Sequence, residues 1–82
     1  MPEALKNPAR RLVGARQVLR ALSENRIEQV WIAQDADPIV TRPVMDACQR
    51  GGVRLTEVDN MVLLGKACAI DVKASVAGLL KE

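Results

Sequence analysis

Apolar and polar positions alternate along the 82 residues with two different periods, and these mark out the elements. Over Ala15–Asn25, residues Ala15, Val18, Leu19 and Leu22 recur at i, i+3, i+4 and i+7, which predicts an amphipathic helix. Glu28–Gln34 (EQVWIAQ) is dense in β-branched and aromatic residues and reads as a buried strand. Val53–Val58 alternates apolar with polar and reads as a second strand. Arg11–Gly14 forms a shorter one. Asp35-Ala36-Asp37-Pro38 is a turn carrying a helix start, with Asp37 as N-cap and Pro38 at the first helical position. Pro43 interrupts the pattern that follows, so a short turn over Pro38–Thr41 and a helix from Arg42 to Arg50 are expected, ended by Gly51-Gly52. Asp59 or Asn60 caps a helix running to Ala67. Pro2–Ala9 is expected to be a short helix stopped at or before Pro8. Lys73–Leu80 (KASVAGLL) is apolar without clear period, and its alanines lean it towards helix. Strands alternating with helices, with no repeat or linker, point to a single α/β layered domain over residues 1–82.

Composition narrows the chemistry. There is no Phe, no Tyr and one Trp, so the core must be built from Leu, Val, Ile and Ala, with Trp31 placed in its most apolar strand. No His is present, which removes the commonest general base and the commonest metal ligand. Cys48 and Cys68 are too few for a disulfide framework or a cysteine-based zinc site and read as buried thiols. Asp35 and Asp37 place two carboxylates in one turn, which would suit acid–base or Mg²⁺ chemistry. No nucleophile–base pair, phosphate loop or metal spacing accompanies them, so no enzyme, metal site or cofactor is expected. Apolar runs fall far short of a membrane span and no signal-type segment opens the chain, so a cytoplasmic protein without membrane contact is expected.

Net charge is +2, but it is unevenly placed. Residues 1–26 hold six bases against two acids, whereas residues 27–82 hold six against eight. That asymmetry fits a localised basic face with a polyanionic partner, and on charge alone it fits equally a solvated face that merely holds many arginines. On the wheel of the Ala15–Asn25 helix, Arg16, Gln17 and Arg20 gather opposite the apolar stripe, just after Gly14. A helix start offers unpaired N–H groups to phosphate, and glycine permits close backbone approach. Arginine bridges the O6 and N7 acceptors of guanine, and Gln pairs with base edges as donor or acceptor. Arg16 in the first turn opposes the helix dipole, so stability does not account for it. Readers of single-stranded RNA stack bases on aromatic side chains; with Trp31 in the core, the expected RNA is a folded shape.

Three segments together carry a family resemblance: Gly14-Ala15-Arg16-Gln17-Val18-Leu19-Arg20, Ile32-Ala33-Gln34-Asp35-Ala36-Asp37-Pro38 and Leu64-Gly65-Lys66-Ala67-Cys68-Ala69-Ile70. In this order and spacing the chain resembles, from about Ala9 to Leu80, the ribosomal "L-seven-Ae" superfamily of kink-turn RNA-binding proteins, and within it the small bacterial YbxF- and YlxQ-like members. The resemblance implies a three-layer α/β/α sandwich around a small mixed four-stranded sheet, with residues 74–80 as the last strand rather than a helix. It implies that the first amphipathic helix enters the major groove of a sharply bent RNA and reads tandem sheared G·A pairs beside a bulge, with Gly14, Ala15, Arg16, Gln17 and Arg20 at the contact. Asp37 matches an acidic position beside the bulge. Lys66 would meet phosphate, and Ala69, Ile70, Asp71 and Val72 would wall the bulged nucleotides. Relatives commonly carry Asn-Glu and then Lys where this chain has Arg16, Gln17 and Arg20, so less guanine selectivity and more phosphate dependence are expected. Relatives carry Gly at the position of Ala69; a different loop path or weaker binding is expected there, because alanine tolerates positive φ poorly.

The leading expectation is therefore a non-enzymatic, monomeric protein that recognises and stabilises kink-turn RNA, ribosomal or in a regulatory leader, and not DNA. The other is a ribosome-associated protein–protein interaction module that keeps the fold without specific RNA binding. Charge reversal at Arg20 separates the two.

Overall fold

Alternation along the strands sets two cores, one on each face of a sheet. In the computed structural model, which describes all 82 residues, a 3₁₀ turn (Glu3–Lys6) leads into β1 (Arg11–Val13), α1 (Ala15–Ser23), β2 (Ile27–Ala33), α2 (Pro38–Gly51), β3 (Arg54–Val58), α3 (Met61–Ala67) and β4 (Val76–Leu80). The strand order is β1-β4-β2-β3. β4 lies antiparallel to both β1 and β2, and β2 lies parallel to β3. Val30 and Ile32 point to one face, where Val18 and Ala21 of α1 and Val44 and Cys48 of α2 cover them. Trp31 and Ala33 point to the other, under Leu5 of the 3₁₀ turn, Leu64 of α3 and Cys68 just after it. This is the three-layer sandwich around a mixed four-stranded sheet that the resemblance implies. Trp31 is 1% exposed, a core residue as its strand context predicts.

Three local expectations are corrected. Lys73–Leu80 is not helical. Its second half is β4, an inner strand buried on both faces, so the alternation that marks a half-buried strand is absent. Its small residues have a packing reason: a Cβ at Gly78 would sit 3.2 Å from Val18 Cγ2 and 3.1 Å from Ile27 Cδ1. Pro43 does not split its segment. α2 runs unbroken from Pro38 to Gly51, because Pro43 is exposed and the carbonyl it leaves without a helical donor belongs to the exposed Ile39, within reach of water. Pro2–Ala9 forms only a four-residue 3₁₀ turn; beyond it the Asn7 carboxamide accepts from the Ala9 N–H at 2.9 Å and holds the chain in a turn instead.

All three α-helices end alike. In α1 the Asn25 N–H donates to Leu22 O and the Arg26 N–H to Ala21 O. In α2 the pairs are Gly52 to Gln49 and Val53 to Cys48, and in α3 Ala69 to Lys66 and Ile70 to Gly65. Each is a Schellman closure with one residue in the left-handed region: Asn25 (φ 57°), Gly52 (φ 65°) and Ala69 (φ 58°). The first two residue types suit that conformation. Alanine does not.

Candidate RNA interface

Topology gathers the expected contact residues at one end of the sheet. β1, β2 and β3 all finish there, and β4 begins there, as the pairs Val13↔Ala77, Ile32↔Val76 and Ala33↔Val58 require. The starts of α1, α2 and α3 and the α3–β4 connector therefore share one edge. Backbone bonds tie the loops together: Gly14 N–H to Val76 O at 2.9 Å, Ala33 N–H to Ser75 O at 2.9 Å, Gln34 N–H to Val58 O at 2.8 Å and Ala74 N–H to Met61 O at 3.0 Å.

The three helix starts differ in chemistry. Asp37 accepts from the Ile39 N–H at 2.9 Å and closes the start of α2. Asn60, not Asp59, accepts from the Leu63 N–H at 2.8 Å and closes α3. Asp35 reaches across to accept from the Met61 N–H at 2.8 Å, fastening the β2–α2 turn to α3. Both aspartates of the turn are thus engaged by backbone donors. Of the three α-helices α1 alone has no side-chain cap, and like the other two it has no acidic residue in its first turn. Its N-cap is Gly14 at φ 105°, a conformation side chains disfavour, and the space where a Cβ would stand is empty to 4 Å. The amide donors of Ala15, Arg16 and Gln17 are left for an acceptor from outside.

Arg16, Gln17 and Arg20 are exposed beside this open start. The six bases of residues 1–26 do not all serve one face. Lys6 pairs with Glu3 at 3.6 Å, Arg10 with Glu28 at 3.7 Å and Glu82 at 4.0 Å, and Arg26 with Glu24 at 3.2 Å, while Arg11 donates to Lys6 O. Arg20 has a 3.8 Å contact with Glu24 and is 83% exposed, and Arg16 has no acidic partner. The asymmetry in sequence charge thus reduces, at the site, to Arg16 and Arg20.

On the far side of α3 lies a shallow depression of about 370 Å³ lined by Val62, Lys66, Ile70, Asp71, Val72 and Lys73. Lys66 and Lys73 flank an apolar wall in which Val72 is 69% exposed. Val62 and Lys73 were not among the residues expected at the site; the exposure of an apolar Val62 on a short helix is visible only once its packing face is known. Ala69 holds a left-handed conformation that alanine disfavours, so the helix end closes there at a conformational cost. Ala69→Gly should remove that cost, which is partly offset by the extra entropy glycine loses on folding. The net stabilisation is about 0.5–1 kcal/mol. The thermal midpoint should rise by a few degrees, and an unchanged or lower midpoint in thermal unfolding would argue against strain at this position.

Neither cysteine offers a nucleophile: burial pushes the Cys48 thiol up, and burial likewise pushes up the Cys68 thiol, against a smaller opposing influence from Arg11. No helix is long and apolar enough to cross a membrane.

Fold and loop cluster define a small α/β/α domain whose helix starts and loops meet at one end of its sheet. The chain belongs to the ribosomal protein L7Ae/L30e/S12e/Gadd45 family, whose profile matches residues 2–82. It is 40% identical over 70 residues to an RNA-binding protein of Caldanaerobacter subterraneus subsp. tengcongensis, covering 85% of each chain. It is 39% identical over 70 residues to the RNA-binding protein YbxF of Geobacillus stearothermophilus, again covering 85% of each. Among solved structures, the Giardia lamblia 15.5kD RNA binding protein superposes with a TM-score of 0.88 at 30% identity, covering 98% of this chain and 70% of that one. All three relatives bear the name of RNA-binding proteins.

Proposed function

We propose that this protein binds RNA without catalysing a reaction, and that its ligand is a kink-turn held in the bent state. The observation that carries the reading is the uncapped start of α1, with Gly14 bare and Arg16, Gln17 and Arg20 exposed beside it, at the sheet end to which the α3–β4 connector returns. The relatives named as RNA-binding proteins support the class of ligand. Phosphate is taken by the amides of the helix start and by Arg16, and Gln17 and Arg20 face base edges. Ile70 and Val72 cover unstacked nucleotides, with Lys66 on their phosphate. Asp37 acts through the α2 cap that fixes the loop. Such a surface is complementary to RNA only when the duplex is bent, so binding shifts the population towards that state. The protein acts as a monomer in the cytoplasm, on ribosomal or leader RNA.

The test is a titration of a minimal kink-turn RNA against a control in which the two G·A pairs are replaced by Watson–Crick pairs, at low and near-physiological salt, with bending followed by end-to-end energy transfer. Selective binding accompanied by bending is expected. Equal affinity for the two RNAs, or none for either, would overturn the reading.

A further inference from the structure

A second surface adjoins the first. α1 and α2 start at the same end of the sheet and run side by side on one face, and between them lies a groove of about 580 Å³. Leu19 forms its α1 side. Ile39, Arg42, Pro43, Asp46 and Arg50 form its α2 side. Arg42, Asp46 and Arg50 stand at i, i+4 and i+8, one row along α2. An aspartate between two arginines at that spacing commonly pairs with one of them, yet neither guanidinium has a carboxylate within 4.0 Å; the ion pairs of the molecule all lie elsewhere. The two arginines thus stand roughly 12 Å apart along the helix axis at the backbone, beside Ile39, which is 83% exposed.

We propose that this groove is a second RNA contact, in which Arg42 and Arg50 take backbone phosphates of the helical arm leaving the α1 face. The proposal rests on the RNA-binding reading above. Two observations select RNA as the occupant. Arg16 stands three residues before Leu19 on α1, near the sheet end where α2 also starts, so a further cation lies on the helix that forms the other side of the groove. Its lining holds two arginines against one aspartate, a net positive charge that suits a polyanion. Ile39 and Pro43, which line the groove with the arginines, suit the apolar sugar faces between successive phosphates. The contact would be blind to sequence, since phosphates carry none, and would instead set how long an arm the protein grips.

The test compares the wild type with the Arg42→Gln/Arg50→Gln double variant, using fluorescence anisotropy over 50 to 200 mM salt (about the range over which such contacts are read). The RNAs are a kink-turn with two long arms and the same kink-turn with each arm shortened in turn. Each duplex phosphate contact contributes roughly 0.9 to the slope of log affinity against log salt. On the long-armed RNA the double variant should lose about 1.8 of that slope, so the wild type falls roughly tenfold further across the salt range. Shortening one particular arm should erase the difference between the two proteins. Arg54→Gln serves as the charge control, because Arg54 is exposed, opens β3 and does not line the groove. It should keep the wild-type slope. Parallel slopes for wild type and double variant on every RNA, with the wild type still binding, would overturn this inference alone and leave the groove to a protein partner. A slope lost equally per charge at Arg54 would also overturn it. Failure of the wild type to bind any of the RNAs would overturn the RNA-binding reading itself.

Discussion

Arg20→Glu should weaken binding to kink-turn RNA by at least about a hundredfold while leaving the protein folded. A charge-assisted hydrogen bond from a guanidinium to a phosphate or a guanine edge contributes about 1.5–3 kcal/mol. Replacing the cation by an anion facing the same RNA adds repulsion of about 1 kcal/mol at solvent dielectric. Together these reach about 3 kcal/mol, which is the hundredfold loss. The fold has little at stake. The Arg20 side chain is 83% exposed, and its 3.8 Å contact with Glu24 is shared with Arg26, which approaches the same carboxylate to 3.2 Å. A second carboxylate one turn before Glu24 costs about 0.5 kcal/mol. Arg20→Gln should fall between the two proteins, and both variants should show a salt slope smaller by about one. Anisotropy titrations at two salt concentrations, with thermal unfolding alongside, read all of this. An affinity for kink-turn RNA within threefold of the wild type would remove α1 from the interface and favour the reading of the domain as a protein-interaction module.

The sequence discloses one half of this site more readily than the other, for a physical reason. The face of α1 follows from periodicity within eleven residues, and the Asp37-Pro38 signal marks the start of α2 to the residue. These are local properties of the chain. The meeting of α1 with the Lys66–Val72 wall depends on β4 inserting between β1 and β2, a pairing between residues more than forty positions apart. β4 is also where the pattern fails. A strand covered on both faces has no polar side to alternate with, and Ala77 and Gly78 are small because Trp31's layer and Val18 crowd them from either side. In that setting alanine and glycine report close packing, whereas on their own they lean the reading towards helix. The resemblance corrected this segment because family pattern carries tertiary information that composition does not. Pro43 misled for the opposite reason: propensity treats it as a break, and exposure of the freed carbonyl removes most of the penalty.

Gly65→Ala should be the most disruptive single-methyl change in the molecule. In an exposed helix interior the exchange is favourable by about 1 kcal/mol. Here a Cβ at position 65 would run into the Val72 carbonyl oxygen and come within 3.1 Å of Lys73 Cα, both main-chain atoms with no rotamer to change. Either α3 or the α3–β4 connector has to move. The connector is held at Ile70, whose N–H donates to Gly65 O at 3.2 Å, at Ala74, whose N–H donates to Met61 O at 3.0 Å, and at Ser75, whose carbonyl accepts from Ala33 at 2.9 Å. α3 is held by Leu64 in the core beneath. Overpacking against such neighbours, with one or two of these bonds lost, exceeds the propensity gain by about 2–3 kcal/mol, equivalent to a fall in thermal midpoint of roughly 10–20 °C for a domain of this size. Gly51→Ala is the contrasting exchange: its Cβ meets only Val53 Cγ2 at 3.6 Å, an ordinary contact, so the midpoint should hold or rise. The same displacement that relieves the clash carries Ile70 and Val72 away from Lys66, so the surviving folded fraction of the Gly65 variant should bind kink-turn RNA more weakly, whereas Gly51→Ala should bind as the wild type does. A Gly65→Ala protein with wild-type midpoint and affinity would show that the connector is free to shift, and that its close seating on α3 matters neither to the fold nor to the RNA.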